Sequence, residues 1–218
     1  MTDLVNLAES RITELRELVA NFNGRPLAKY PGVTRVLSAT KDQTGLDAWR
    51  GRVGHEEADR IVEESKKIGT SLDTIFNDSL TKEDFSLDSY KGEPGVRLWR
   101  QIQQNIRKIN PVAVQMKVWS DTMGVMGYLD CLGFYNGELS LIDCKNAKSE
   151  KTPEHLFDYH LQCTAYSMCI YEMLGIQVKQ IVLLIARRDQ PFPQVSIKRT
   201  KDYVRDVITR VDDYKRIS

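Results

Sequence analysis

The chain has 218 residues, 41% of them hydrophobic, and 31 basic side chains against 30 acidic ones leave a net charge of +1. That length buries one substantial core, so the expectation is a single domain over 1–218, mainly helical to 110, with a core over 111–200 and a closing helix over 201–218. Near-neutrality makes no global electrostatic case for nucleic acid and leaves room for a local basic groove, so charge balance decides nothing, and no stretch is apolar enough to span a membrane.

The first residues, MTDLVNLAESRITELRELVANF, read as an amphipathic helix over 2–20, without the basic start and continuous apolar stretch of a signal peptide. From Asn23-Gly24 to Gly54 the glycines, Pro26, Pro31 and polar residues predict loops, with a short helix around Leu46 to Val53. Ala58, Ile61, Ile68, Leu72 and Ile75 mark a helix from Glu56 towards Asn77. Thr81 to Pro94 reads as loop, and Val96 to Ile109 as a helix ended by Pro111. The period then changes: Val112, Val114, Met116 and Val118 alternate as in a half-buried strand. Ser120 to Gly124 predicts a turn. Gly127 to Tyr135 and Glu138 to Lys145 predict a hairpin around Asn136-Gly137, the strongest short hairpin signal. Thr152-Pro153 can start a helix that Gly175 stops near Leu174; a buried strand over Lys179 to Ala186, an edge strand over Gln194 to Lys198 and a helix over Lys201 to Arg216 follow. The fold class is therefore α/β, a central mixed sheet flanked by helices with a helical N-terminal region.

Counting outward from Asn136-Gly137 pairs Tyr135 with Glu138 and sets Asp130 opposite Asp143. Cross-strand Cβ atoms lie roughly 4.5–5.5 Å apart, so two such carboxylates repel unless they share a cation. Period two puts Lys145 on the face of Asp143, with Leu132, Phe134, Leu139 and Leu141 filling the rest of it. Oxygen donors at this spacing suit magnesium or manganese, which accept phosphate oxygens as further ligands, and an ammonium beside them can orient water and balance phosphate charge. The competing reading is an exposed strand end with an ordinary Asp143–Lys145 ion pair.

Gly127-Tyr128-Leu129-Asp130 and Leu141-Ile142-Asp143-Cys144-Lys145 resemble the G-x-x-D and hydrophobic-D-x-K motifs of the PD-(D/E)XK nuclease superfamily, whose core is restriction-endonuclease-like. Gln162 and Tyr166, four apart on the predicted helix, match the Q-x-x-x-Y motif of its RecB-like exonuclease branch. Tyr30-Pro31-Gly32-Val33-Thr34, Leu37-Ser38, Trp49-Arg50, Gly54 and Gly69-Thr70 extend the likeness over roughly 30–187, to the mitochondrial genome maintenance exonucleases and phage relatives. The resemblance implies a metal held by Asp130, Asp143 and the backbone carbonyl of Cys144, and catalysis by these aspartates with Lys145, Gln162 and Tyr166. Where relatives place a metal-binding histidine four residues after the glycine, this chain has Asp73, and Asn146-Ala147-Lys148 stands where Thr-Ser is usual. Asp121 is a spare carboxylate for a second metal.

For substrate, Trp49 with Arg50 and Arg52 offers stacking and phosphate contacts, and Lys148, Lys151, Arg187 and Arg188 could line a groove. Each has a plain alternative in core packing or a solvated surface. The four cysteines, Cys131, Cys144, Cys163 and Cys169, lack metal-cluster spacing and read as reduced packing residues, Cys131 and Cys144 on the hairpin face opposite Asp143; no iron-sulfur cluster is expected. His55, His155 and His160 are too scattered for a zinc site. The expected activity is exonucleolytic hydrolysis of single-stranded DNA or DNA ends, in phage replication or recombination in the host cytoplasm. An endonuclease of the same fold and a non-catalytic DNA-binding module remain the alternatives.

Overall fold

Asn136 and Gly137 adopt φ of 51° and 84°, the left-handed pair that a two-residue hairpin turn requires, and this turn sets the register of the central sheet. The computed structural model describes residues 2–22 and 30–218; the loop expected at Asn23-Gly24 and Pro26 lies outside them. Seven helices and seven strands are ordered as α1 (Thr2–Ala20), α2 (Val33–Ala39), α3 (Thr44–Val53), α4 (His55–Thr81), α5 (Val96–Ile106), β1 (Ile109–Val114), β2 (Lys117–Ser120), β3 (Val125–Tyr128), β4 (Cys131–Tyr135), β5 (Glu138–Ala147), α6 (Pro153–Leu174), β6 (Gln180–Arg187), β7 (Gln194–Arg199) and α7 (Val204–Ile217) among the described residues.

The mixed α/β architecture is a five-stranded sheet in the order β1-β4-β5-β6-β7, antiparallel except for the parallel pair β5/β6. A parallel pair needs a crossover, and α6 supplies it, capped by the Thr152 side chain at one end and by left-handed Gly175 at the other. Being interior, β6 is buried from Gln180 to Ala186, which is why it reads as an unbroken apolar run. Each sheet face carries its own core. Leu72, Ile75 and Phe76 of α4 and Leu98, Trp99 and Ile102 of α5 cover Cys131, Ile142, Cys144, Val182 and Leu184. On the other face α6, through Leu161, Cys163 and Tyr166, covers Leu132, Leu139, Leu141, Ile181 and Leu183. α1 packs Leu15 and Val19 onto this second core, and Arg16 donates two hydrogen bonds to the Pro111 carbonyl, at 2.9 and 2.6 Å. No described helix is long and apolar enough to cross a membrane.

Four expectations need correction. The strand read over Val112 to Val118 is two strands: Gln115 turns to φ 52°, sending β1 into the five-stranded sheet and β2 into a separate ribbon with β3. Gly127 to Tyr135 is broken likewise, at Leu129-Asp130. The two chains change sheets together, cross-linked by Gln115 N–H to the Asp130 carbonyl and Leu129 N–H to the Met116 carbonyl, each at 3.0 Å; period two persists through both, so the pattern hides the break. Pro111 does not end α5, which stops at Ile106; it sits in β1, an edge strand, where a missing N–H is tolerated. Finally, α2 stands where the sequence predicts loop, since Pro31 and Gly32 precede only seven helical residues, and its Val33, Val36 and Leu37 are fixed by burial against α6 and α7.

His160 illustrates the second core's grip. Its ring stacks on Tyr203 with centroids 5.0 Å apart, Nε2 lies 3.1 Å from Ser196 Oγ, and burial, with Lys198 nearby, pushes the imidazole down to about 4. The unfolded chain takes this proton near pH 6.5, so the neutral ring's contribution is complete above that and is lost as the pH falls towards 4. Urea titration at pH 7 and 4.5 is expected to show wild type losing about 2–3 kcal/mol more stability over that interval than His160→Gln; equal losses would contradict the assignment.

Candidate active site

The ladder between β4 and β5 runs from Tyr135↔Glu138 to Cys131↔Ile142, as counted from the turn, and then stops because the chain switches sheets at Asp130. The Asp130 side chain replaces the missing backbone partner: its Oδ2 accepts the Cys144 N–H at 3.0 Å. In a strand a residue's N–H and C=O leave on the same side, so the Cys144 carbonyl is directed to this broken edge as well. Asp143, on the α6 face of β5, is only 3% exposed. Its Oδ1 accepts from Lys145 Nζ at 2.8 Å, and the same ammonium is 3.8 Å from Asp130 Oδ2. Asp143 Oδ2 is buried with no hydrogen-bond partner among the described residues.

One ammonium therefore serves two carboxylates. Burial opposes the charge of Lys145, but Asp143 and Asp130 outweigh it and raise its affinity for the proton well above the ordinary lysine value. Burial pushes Asp143 the other way, well above the usual carboxylate range despite Lys145, and Asp130 adds to the rise. Asp73 joins this field from α4: the walls around it and the nearby Asp130 push it up to about 6, although the side chain reaches solvent at the rim. The helix carrying it sits close to β5 because Gly69 leaves space for Asn146, whose Nδ2 donates to the Ser65 carbonyl at 3.3 Å; a Cβ on Gly69 would lie 2.8 Å from that nitrogen.

From α6, Gln162 Nε2 donates to Tyr166 Oη at 3.1 Å, and Asp143 and Lys145 both act on the Tyr166 hydroxyl, which burial pushes above its usual value. Gly127 faces the same ring: a Cβ there would stand 2.8 Å from Tyr166 Oη. The glycine of the G-x-x-D motif thus clears the tyrosine of the Q-x-x-x-Y motif. Gly127→Ala must displace one of them, with an expected loss of about 1–3 kcal/mol in denaturant unfolding; unchanged stability would show that the ring has room to move.

Tyr159, which the sequence reading did not single out, lies three residues before Gln162 and seven before Tyr166, on the same helical face, and its ring carries Lys145 Nζ 5.7 Å from its centroid. Helical spacing from Gln162 was the available signal. Other expected residues are dispersed. Asp121 belongs to the far turn of the β2/β3 ribbon, where it accepts from Tyr30 at 2.8 Å, and it is no part of the carboxylate group. α3 rests on α4, with Trp49 half-buried, Arg52 exposed and Arg50 paired to Asp59 at 2.8 Å. Lys148 and Arg188 line one cleft with Arg60 and Glu64, while Arg187 pairs with Glu150 at 3.2 Å. Cys131 and Cys144 lie in the α4/α5 core and Cys163 and Cys169 in the α6 core, on opposite faces of the sheet.

Among the described residues no three His, Cys, Asp or Glu side chains gather as a ready chelate. Magnesium needs none, since it is commonly held through one or two carboxylates with water and substrate oxygens completing the shell. The partnerless Oδ2 of Asp143, on a carboxylate in the field of the nearby Asp130, fits such an ion.

The chain is similar to mitochondrial genome maintenance exonuclease 1 of Homo sapiens, 28% identical over 174 residues that make up 73% of this chain and 49% of the relative. That relative is a nuclease, and this chain spans about half its length. No family model matches. A structural likeness to the crystal structure of SSO0001 covers 97% of this chain and 87% of that one, at 9% identity and a TM-score of 0.47, too loose to bear on the site.

Proposed function

We propose that this chain is a magnesium- or manganese-dependent deoxyribonuclease that digests single-stranded DNA or DNA ends exonucleolytically. The observation that carries the reading is the buried, partnerless Asp143 Oδ2, on a carboxylate joined to Asp130 through the Lys145 ammonium at a broken sheet edge. The similarity to a mitochondrial exonuclease supports it. Asp130, Asp143 and the Cys144 carbonyl would hold the ion, with Asp73 reaching in from α4. When bound there, a divalent cation supplies positive charge that polarises the phosphate and makes water more acidic.

The chain's own groups do the rest. Lys145 keeps its proton, orients the attacking water and offsets charge that builds on the phosphoryl oxygens. Gln162 and Tyr166 present a carboxamide and a hydroxyl from α6 to the sugar-phosphate near the bond being cut. Lys148, Lys151, Arg187 and Arg188 contact flanking phosphates, and Trp49, Arg50 and Arg52 extend the DNA path along α3. Phage replication or recombination, in the host cytoplasm, is the setting the phage-like motifs suggest.

The test is digestion of end-labelled linear single-stranded DNA beside a circular control, with magnesium, manganese or chelator. Metal-dependent loss of the linear form alone is the expected result. Cutting of circles would replace the exonuclease reading by an endonuclease, and binding without cutting would replace it by a non-catalytic module.

A further inference from the structure

Two loops converge at the first turns of α6. Lys41, from the bend between α2 and α3, pairs with Asp158 at 2.6 Å. Arg210 of α7 takes the other Asp158 oxygen at 3.4 Å, and also donates to Thr40 Oγ1 at 2.5 Å and to the Leu37 carbonyl. Lys41 therefore extends from a segment tied down just before it, at Leu37 and Thr40. Lys151 is anchored differently: its N–H donates to Gln194 Oε1 at 2.9 Å, and Gln194 Nε2 donates back to its carbonyl at 2.8 Å. Its half-buried side chain stands in the field of Lys41, and burial first, then that second cation, hold its ammonium below the ordinary lysine value.

Lys41 and Arg210 thus share one carboxylate, Asp158, and Lys151 adds a third positive charge in the field of Lys41. Such an excess of positive charge, on loops fixed by backbone hydrogen bonds, is relieved by an anion. One aromatic ring separates this cluster from the active centre. Tyr159, next to Asp158 in the chain, carries Lys145 over its ring, and its hydroxyl lies within the fields of Lys145, Asp143, Lys41 and Asp158.

We propose that Lys41 and Lys151 form a phosphate subsite beside the Asp130–Asp143–Lys145 centre, taking the backbone phosphate next to the one being cleaved, with Tyr159 as the wall between the two. This rests on the nuclease reading and deepens it: the substrate is a polynucleotide engaged through consecutive phosphates of one strand. Lysines, compact charges on flexible stems, suit a phosphate that slides through as the strand shortens.

Anisotropy of a labelled oligothymidylate bound to the full chain, in chelator and over a salt series, separates this subsite from catalysis. Lys41→Gln and Lys151→Gln are each expected to reduce the magnitude of the log-affinity against log-salt slope by about 0.7, and the double variant by about 1.4, while Lys41→Arg and Lys151→Arg keep the wild-type slope. Thermal melts establish that each variant is folded. If wild type binds and cuts but the double variant keeps its slope, the subsite is wrong and the nuclease reading stands. Reduced slopes with a wild type that binds but never cuts support the subsite and overturn the nuclease reading. A wild type that neither binds nor cuts overturns both.

Discussion

Asp143→Asn is expected to lower metal-dependent hydrolysis of linear single-stranded DNA by at least about 10³-fold, the scale of losing a charged group that acts on the reacting phosphate. The substitution preserves volume and leaves an oxygen for Lys145, so the packing of Leu141, Ile142 and Cys144 along β5 survives. What it removes is the second carboxylate oxygen, the one with no partner among the described residues. The negative charge goes with it, which a purely structural ion pair would register as lost stability and not as a lost rate. The decisive comparison is the single-turnover rate at saturating magnesium, with a thermal melt to show the fold intact; a rate within tenfold of wild type would return Asp143 to the role of a buried strand-end residue.

Lys145→Met should produce the second large effect, on stability as well as rate. Methionine can retain the apolar contact with Tyr159, but Asp143 and Asp130 then face each other without the ammonium that bridges them at 2.8 and 3.8 Å. Removing one partner from a buried charge arrangement costs about 3–5 kcal/mol, so in chelator at pH 8 the variant is expected to melt well below wild type. Divalent cation should then recover more stability in the variant than in wild type, because the lysine no longer competes for the same oxygens and binding to the folded state alone is stabilising. Identical metal-induced melting shifts in the two proteins would separate the lysine from the cation and sink the shared-site account.

Local sequence carried much of this site because a two-residue hairpin turn converts position into register. Asn136-Gly137 admits one pairing, and from it the register as far as Cys131 and Ile142, the shared face of Asp143 and Lys145, and the opposite face for Cys131 and Cys144 follow by counting, whereas Asp130 lies just past the end of the ladder. Gln162 and Tyr166 were legible for a similar reason, since four residues make one helical turn, and they meet as that spacing requires. Nothing local announced α2, whose seven residues are too few to show a period and are fixed by contact with α6 and α7. Lys41 was equally invisible, being one of many charged residues in an irregular stretch until Asp158, 117 positions later, comes within ion-pair distance.

The sequence alone, then, determined the alternation of helix and strand, the central hairpin, and the three polar residues at its open end, because these depend on periodicities of two and 3.6 and on one turn. Tertiary structure decided that the strands break together at Gln115 and Asp130, that the Asp130 carboxylate consequently caps Cys144, that Asp73 enters from α4, and that Tyr159 lies in the fields of both Lys145 and Lys41. Those facts arise from sheet exchange and long-range packing, where the partner of a residue is chosen by what fills the space beside it rather than by its neighbours in the chain.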